Sequence, residues 1–572
     1  MIATKGLTGA QAFLKVLARM GVERIFASPG SEWSPVWEYL AEPDRRAEDR
    51  PVYLSLRHEE TAVGMASGYA KASGKLPAVM LHTTVGSLHA SMALRGALHE
   101  LVPMVVFAGE SIGFGEEEGP DPGSQWLRHL ADMGGPARLV ERCVKWSLGV
   151  NTKALLPATV QRACQMAMAA PRGPVFVSLP MEFLFGKMTA DAPASPVFPL
   201  APAADAEGVK ELARMLAQAK NPIVVTEEAG RSAAAVERLV ELAEWLGAPV
   251  VETRSSTYGN FPRHHPLHGG FDPGEYLPEA DLIFLLSAVL PWHPPSAGPG
   301  PGVKVAVLDE DPLHAGLPFW GYSIDLCLTG AVESSLALLL AHLKNHFSAD
   351  APLRARRAER WRQRHQERRQ AWREEAAALK GRRPIDTRWV VSELNQILPS
   401  DALVVEETIT HRLEIHRYLD HLRPGSFFAG CAGGLGTGLG TALGVKAAFP
   451  ERPVVLLIGD GSFNYNPVLA ALGFAQEYRT PILIVLFNNQ GYLSMKAGMP
   501  RYYPQGWAMQ TKSFVGTSIV PSPDYAAIAR AFGGYGEKVE EPEEVRRALE
   551  RGLKAVASGQ LALIDICLEP VN

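Results

Sequence analysis

At 572 residues, with 47% hydrophobic and 20% charged side chains, the chain has the length of about three or four ordinary domains and the composition of a globular protein with large cores. A net charge of −5 argues against a nucleic-acid partner, and five scattered cysteines, Cys143, Cys164, Cys327, Cys431 and Cys567, with no CxxC pair argue against a zinc site or disulfide framework. No apolar run reaches about 18 residues, and no charged-then-apolar leader opens the chain, so a soluble cytoplasmic protein with no membrane partner is expected.

In chain order, Thr8 caps a helix that runs to Met20. The strand Arg24 to Ala27 leads into Ser28-Pro29-Gly30-Ser31, and the strand Val52 to Leu56 into Arg57-His58-Glu59-Glu60. A helix rich in small residues, Thr61 to Ser73, precedes the strand Pro77 to Leu81, which ends at His82-Thr83-Thr84-Val85-Gly86. The strands Met104 to Ala108 and Val175 to Leu179 continue the alternation, which predicts a parallel α/β domain over residues 1–186. Asp191 to Ala206, rich in Pro and Ala, has linker composition.

A second α/β set, over 200–346, holds the strands Ile223 to Thr226, Pro249 to Glu252, Leu282 to Leu286 and Lys304 to Leu308 and the helix Ala233 to Leu246. Its Pro/Gly loop, Pro291 to Gly302, carries His293. Residues 347–383 are dense in Arg, Glu and Gln. The interleaved acidic residues and the 11-residue spacing of Trp361 and Trp372 predict a linker helix that packs one stripe on the protein, not a nucleic-acid-binding tract. A third α/β domain, over 384–572, holds the strand Ala402 to Val405 and the glycine-rich CAGGLGTGLG, Cys431 to Gly440.

The same domain carries VVLLIGDGSFNYN and PILIVLFNN. A buried strand, Val454 to Ile458, breaks at Gly459-Asp460-Gly461; a helix, Pro467 to Tyr478, follows; a second strand, Ile482 to Phe487, ends at Asn488-Asn489. Ligands of open α/β sheets bind at such carboxyl ends. Gly459 and Gly461 let the backbone approach a bulky anion, and the helix that follows turns free amide groups toward it. Asp460 would repel a phosphate unless a divalent cation sat between them. Asn489 offers a neutral oxygen ligand and the Gly491 carbonyl a third, as a hard cation prefers. GDG alone also ends ordinary strands; GDG, 26 residues, then NN, each after an apolar strand, is far more restrictive.

This pattern resembles the thiamine diphosphate motif of the 2-oxo acid decarboxylase and acetolactate synthase superfamily, and the likeness covers nearly the whole chain. It implies three doubly wound parallel-sheet α/β domains: pyrimidine-binding, central Rossmann-like and diphosphate-binding. It implies thiamine diphosphate as cofactor, held through Mg²⁺ or Ca²⁺ by Asp460, Asn489 and Gly491, with Gly459, Gly461, Ser462 and Thr410 around the diphosphate. Glu59, nine residues before Gly68-Tyr69-Ala70, matches the family's activating Glu, which hydrogen-bonds N1′ of the pyrimidine; Glu60 competes one residue away. Leu435, after Ala432-Gly433-Gly434, matches the apolar wedge that bends the cofactor, and Gly433 the carbonyl that accepts from its 4′-amine.

Ser31, His82 and His293 resemble in context the catalytic Ser and two His of benzoylformate decarboxylase-like members. Acetolactate synthases carry a second Gly where Ser31 stands, and TSGPGATN where this chain has HTTVGSLH. The resemblance therefore implies a lyase that decarboxylates a 2-oxo acid to an aldehyde, with carboligation as a side activity. Ser31, Trp33, Leu493 and Met495 flank the substrate pocket, which points to an apolar or aromatic substrate; Gly498 stands where the benzoylformate enzyme has an aromatic residue. The alternatives are an acetolactate synthase-like carboligase or flavin-dependent oxidase, and a catalytically silent paralogue, against which Glu59 argues. FAD often occupies the middle domain of such members, but no fingerprint for it stands in this chain. Sites shared between subunits in the family imply a homodimer or homotetramer.

Overall fold

The computed structural model describes all residues except 1, 43–50, 117–118, 192–196, 319–320, 348–350, 421–422, 431–432 and 572. Seventeen strands form three sheets. The first contains β1 (Arg24–Ser28), β2 (Val52–Ser55), β3 (Ala78–Leu81), β4 (Met104–Glu110), β5 (Trp146–Gly149) and β6 (Pro174–Pro180), in the order β2-β1-β3-β4-β6-β5. The second contains β7 (Pro222–Thr226), β8 (Val250–Glu252), β9 (Leu282–Leu286), β10 (Lys304–Asp309) and β11 (Leu326–Thr329), in the order β11-β10-β9-β7-β8. The third contains β12 (Leu403–Glu407), β13 (Phe427–Ala429), β14 (Val454–Gly459), β15 (Leu483–Asn488), β16 (Tyr535–Val539) and β17 (Ala562–Cys567), in the order β13-β12-β14-β15-β17-β16.

Every strand pair in these sheets is parallel. Central strands such as β9 (LIFLL) and β15 (LIVLFN) are buried along their whole length, so both faces must be apolar and the sequence shows runs, not alternation. In each sheet the chain runs one way from its first strand and then turns back to the other side, which opens a crevice at the carboxyl ends of two neighbours: β1 and β3, β7 and β9, β12 and β14.

The chain packs as two units: Met1–Leu200 with Gly430–Glu451 and Ser462–Ile482, and Ala201–Ala429 with Arg452–Gly461 and Leu483–Asn572. In the first unit, the helix Glu59–Ser73 is buried from Thr61 to Ala70 and meets the helix Gly438–Ala448 at backbone distance. A Cβ on Gly68 would lie 2.0 Å from the Thr441 carbonyl oxygen, and one on Gly444 2.0 Å from that of Met65. The run of small residues thus serves a close helix crossing. In the second unit, the linker segment forms the helix Ala351–Ala378, which buries Trp361, His365, Arg369 and Ala376, one stripe of an otherwise charged surface. Arg369 is neutralised by Asp420. Among the described residues no helix is long and apolar enough to cross a membrane.

Candidate active site

In the first unit, the crevice between β1 and β3 holds a carboxylate–imidazole pair. β3 ends at Leu81, and His82 is the N-cap of the helix Thr83–His99. Its Nδ1 lies 3.0 and 2.9 Å from the two carboxylate oxygens of Glu32, which follows β1 and is fully buried. Two glycines make the room. A Cβ on Gly30 would sit 2.0 Å from His82 Nδ1, and one on Gly109 2.0 Å from Glu32 Cγ. The Glu32 hydrogen bond raises the His82 pKa above the usual imidazole value, with burial opposing it. The one signal for Glu32 in the sequence, fifty residues from His82, is a carboxylate two positions after the Pro-Gly that follows β1.

Glu59 is the first residue of its helix and mostly buried, with His58 as N-cap. Its Oε2 lies 3.2 Å from His89 Nδ1, and a Cβ on Gly86 would sit 3.1 Å from its Oε1. Glu60 faces elsewhere: a Cβ on Gly436 would lie 3.0 Å from Glu60 Oε1. The two carboxylates are therefore not interchangeable, as a step of about 100° around a helix requires. Gly433 is exposed and left-handed at φ 84°, and Leu435 half-buried. Cys431 and Ala432 lie outside the described residues. Ser462 is buried. Ser31 is exposed, and its carbonyl accepts from Ser34 Oγ at 2.5 Å. Trp33 is no surface residue: it is fully buried, donates its indole N–H to Leu81 O at 2.9 Å and packs on Phe13 in the core of the first sheet. It is set aside from the substrate pocket.

In the second unit, β14 ends in Gly459 and delivers Asp460, buried, at the β12–β14 crevice. Its carboxylate accepts from Gly461 N at 2.8 Å and Gly491 N at 3.0 Å. Asn489 Oδ1 accepts from the same Gly491 N at 3.2 Å, so the oxygens of Asp460 and Asn489 converge on one amide. A Cβ on Gly461 would stand 3.9 Å from the Gly491 carbonyl oxygen. Burial pushes the Asp460 pKa up to about 6, and the nearby carboxylate Asp565 adds to it. A buried, desolvated carboxylate beside neutral amide and carbonyl oxygens is the donor set a hard divalent cation takes. The preceding Asn488 is structural: it donates to Asp565 Oδ1 at 2.9 Å and accepts from Gln490 N at 3.2 Å.

Thr410, Asn489 and Leu493 line one cavity of about 540 Å³, with His411, Lys496 and Asp386. β12 leads to it through Glu406, buried, which accepts from Thr408 N and Oγ1, both at 2.5 Å, and pairs with Arg412 Nε at 2.6 Å. Met495 is half exposed on the helix Leu493–Tyr502. His293 is exposed on the loop after β9. At the third crevice, between β7 and β9, the carboxylate of buried Glu227 accepts from Val289 N at 2.5 Å, Leu290 N at 3.1 Å and Thr253 Oγ1 at 2.7 Å. Those loop amides are therefore satisfied by the protein's own carboxylate.

Family models give a matching account. The thiamine pyrophosphate enzyme N-terminal TPP binding domain matches residues 7–117, the central domain 209–339 and the C-terminal TPP binding domain 409–566. The chain belongs to the thiamine pyrophosphate enzymes. Benzoylformate decarboxylase of Pseudomonas aeruginosa is 29% identical, over 98% of this chain and 99% of its own length. The acetolactate synthase isozyme 3 large subunit of Escherichia coli is 26% identical, over 98% and 95%. Among solved structures, a putative thiamin diphosphate-dependent enzyme of Mycobacterium smegmatis superposes with TM-score 0.74 at 25% identity, over 98% of this chain and 99% of that one. Benzoylformate decarboxylase of Polynucleobacter necessarius shares the fold with TM-score 0.79 at 22% identity, over 99% of each. As a thiamine pyrophosphate enzyme of the decarboxylase/acetolactate synthase group, the protein carries the chemistry of its cofactor, and its own residues supply binding, orientation and proton control.

Proposed function

We propose that this thiamine pyrophosphate enzyme decarboxylates a 2-oxo acid to an aldehyde without oxidation. The observation that carries the reading is the buried Glu32 behind His82 at the β1–β3 crevice: it fixes the imidazole's tautomer and keeps it protonated to higher pH than a free histidine. A proton donor poised near neutrality is what protonation at carbon after loss of CO₂ requires.

Asp460, Asn489 and the Gly491 carbonyl hold Mg²⁺ or Ca²⁺, with Gly459, Gly461, Ser462 and Thr410 around the diphosphate. Glu59 would face the pyrimidine N1′ of the bound cofactor, Leu435 would pack against it and the Gly433 carbonyl would accept from its 4′-amine. Bound thiamine diphosphate supplies the electron sink for the departing carboxyl group. Ser31 orients that carboxyl group, His82 delivers the proton, and His293 is the second, exposed imidazole. Leu493 and Met495 border the substrate side chain, which favours an apolar or aromatic 2-oxo acid. The Tyr502 ring, one turn beyond Gly498, stands 3.6 Å from where a Cβ on that glycine would be, so this helix still presents an aromatic surface.

The family resemblance favours a homodimer or homotetramer as the working form, with the first domain of one subunit and the third domain of its partner completing one site. Light scattering should find no monomer that retains activity. A panel of 2-oxo acids assayed for CO₂ and aldehyde tests the main reading. Equimolar aldehyde and CO₂ support it. A condensed 2-hydroxyketone or 2-hydroxy-3-oxo acid product, as the acetolactate synthase relatives' names describe, would replace it with carboligation.

A further inference from the structure

His89 stands where the acetolactate synthase pattern TSGPGATN ends in Asn, and none of the roles above uses it. It lies on the helix Thr83–His99, two turns on from His82, and reaches Glu59 with Nδ1 at 3.2 Å from Oε2. Its ring stacks on that of His58, centroids 5.1 Å apart and planes at 8°. His58 in turn accepts from Glu60 N at 3.2 Å through its Nδ1, which fixes that ring at the head of the Glu59 helix. Burial holds the His58 imidazole below its usual value, so His89 stacks on a neutral ring. Glu59 is 13% exposed and His89 62% exposed in the side chain. The pair thus joins a nearly buried carboxylate to a solvent-facing imidazole.

We infer that His89 is a positioning residue for Glu59. It holds Oε2 through a donated Nδ1–H and so fixes the carboxylate's rotamer, leaving Oε1, against Gly86, as the oxygen that meets a partner. This rests on the reading of Glu59 as the residue that faces the pyrimidine N1′. The three side chains His58, Glu59 and His89 also lie close enough to suggest a metal site. The stack speaks against it: lone pairs lie in the ring planes, and two parallel, offset rings cannot both aim at one ion. The titratable groups around the pair are His58 and Glu60 from the Glu59 helix and His82 from the head of the His89 helix, with Glu60 turned to Gly436.

The test separates donor from stack. His89→Asn keeps a donor and loses the ring; His89→Phe keeps the ring and loses the donor. Three readouts are taken on the full-length protein. In the cofactor-free form, nitrogen NMR of the histidines, with His89 assigned by its absence in His89→Asn, should show the His89 Nδ1 resonance moving in Glu59→Gln, because its hydrogen-bond partner is no longer a carboxylate. Calorimetric affinity for thiamine diphosphate with Mg²⁺, and deuterium exchange at C2 of the bound cofactor, should stay within about twofold of wild type in His89→Asn and fall about fivefold in His89→Phe. An unmoved His89 Nδ1 resonance in Glu59→Gln, or a His89→Phe variant as good as wild type, overturns the inference. If Glu59→Gln itself keeps normal exchange, the assignment of Glu59 fails first. If Glu59→Gln loses exchange and His89→Phe does not, only the role of His89 falls.

Discussion

The first and third sheets are built alike and equipped differently. Numbered within each sheet, both follow the strand order 2-1-3-4-6-5, and both open their crevice between strands one and three. At that crevice the first sheet places carboxylates and an imidazole: Glu32 after β1 and His82 after β3, with Glu59 after β2. The third places oxygen-bearing groups without an imidazole: Asp460 after β14, Asn489 after β15 and the Glu406–Thr410 turn after β12. On the proposed function, one scaffold serves acid–base control in one copy and a cation and diphosphate cradle in the other. The second sheet is the control case. At its crevice the carboxylate of Glu227 takes the Val289 and Leu290 amides and the Thr253 hydroxyl for itself. The topology supplies the place, and a few side chains at strand ends decide what the place does.

If that division holds, damage on the two sides should differ in kind. The largest effect belongs to the third sheet. Asp460→Ala should abolish thiamine diphosphate binding by calorimetry with Mg²⁺ present, because the diphosphate loses its counter-charge. Unchanged affinity would remove the cation from the scheme.

Next come the two proton-handling residues, which should spare binding and cut chemistry. Glu59→Gln should slow C2 deuterium exchange of bound cofactor by about 10²–10⁴-fold, and His82→Ala should leave exchange near normal while turnover falls over that same range. Glu60→Gln should exchange as wild type. If instead Glu60→Gln is the dead variant, the orientation of the helix start has been misread.

Glu32→Gln is gentler, about tenfold in turnover at neutral pH, and its signature is a pH shift. The carboxylate raises the His82 pKa while burial lowers it. With a neutral amide in its place burial is opposed only by the weaker attraction of Glu59, so the alkaline limb of the turnover profile should move to lower pH. The same pair contributes stability in full below the unfolded histidine value of about 6.5, and loses it as pH rises through the raised folded value. Glu32→Gln should therefore lower the melting temperature more at pH 6 than at pH 9. Equal losses at both would mean that Glu32 acts through packing alone.

Much of this was legible in the residues, for a physical reason. Buried parallel strands must be apolar on both faces, so β9 and the helix Ala233–Leu246 fall on the boundaries their sequences predict. Edge strands need only one neighbour: β5 and β16 are largely half-exposed and β13 is three residues long, so their sequences carry little signal. β17 is central, but Asp565 interrupts its apolar run. At the site, Asp460 and Asn489 stand out because an acid and an amide at the ends of apolar strands are costly unless used. Glu32 does not stand out, since its partner is distant in sequence. Trp33 beside Ser31 looks like a pocket residue, yet residues Gly30 to Trp33 turn it inward to Phe13, which sequence proximity does not reveal.

The smallest expected effect concerns a difference in strain between the two crevices. The first sheet leaves β1 through Gly30 at an ordinary φ of −98°. The third leaves β12 through Ile409 at φ 55°, a β-branched residue in the left-handed region. Such a residue costs about 1–3 kcal/mol and persists only where its surroundings enforce it. Here the enforcement is visible. Glu406 grips Thr408 by both N and Oγ1, and Thr410 N donates to Thr408 O at 2.6 Å, so Ile409 is pinned on both sides at the wall of the cavity that holds Thr410. Ile409 is 40% exposed, so its side chain does little for the core. Ile409→Gly should relieve the strain and raise the stability of the cofactor-free protein slightly, by about 1 kcal/mol after the entropic cost of glycine. It should also weaken thiamine diphosphate binding by about threefold, because the turn must then be ordered on binding. The two changes have opposite sign, and that opposition is the point. A variant that is more stable and binds equally well would show that the strain is incidental. One that is less stable and binds worse would show that Ile409 is held by packing that the geometry of the turn does not explain.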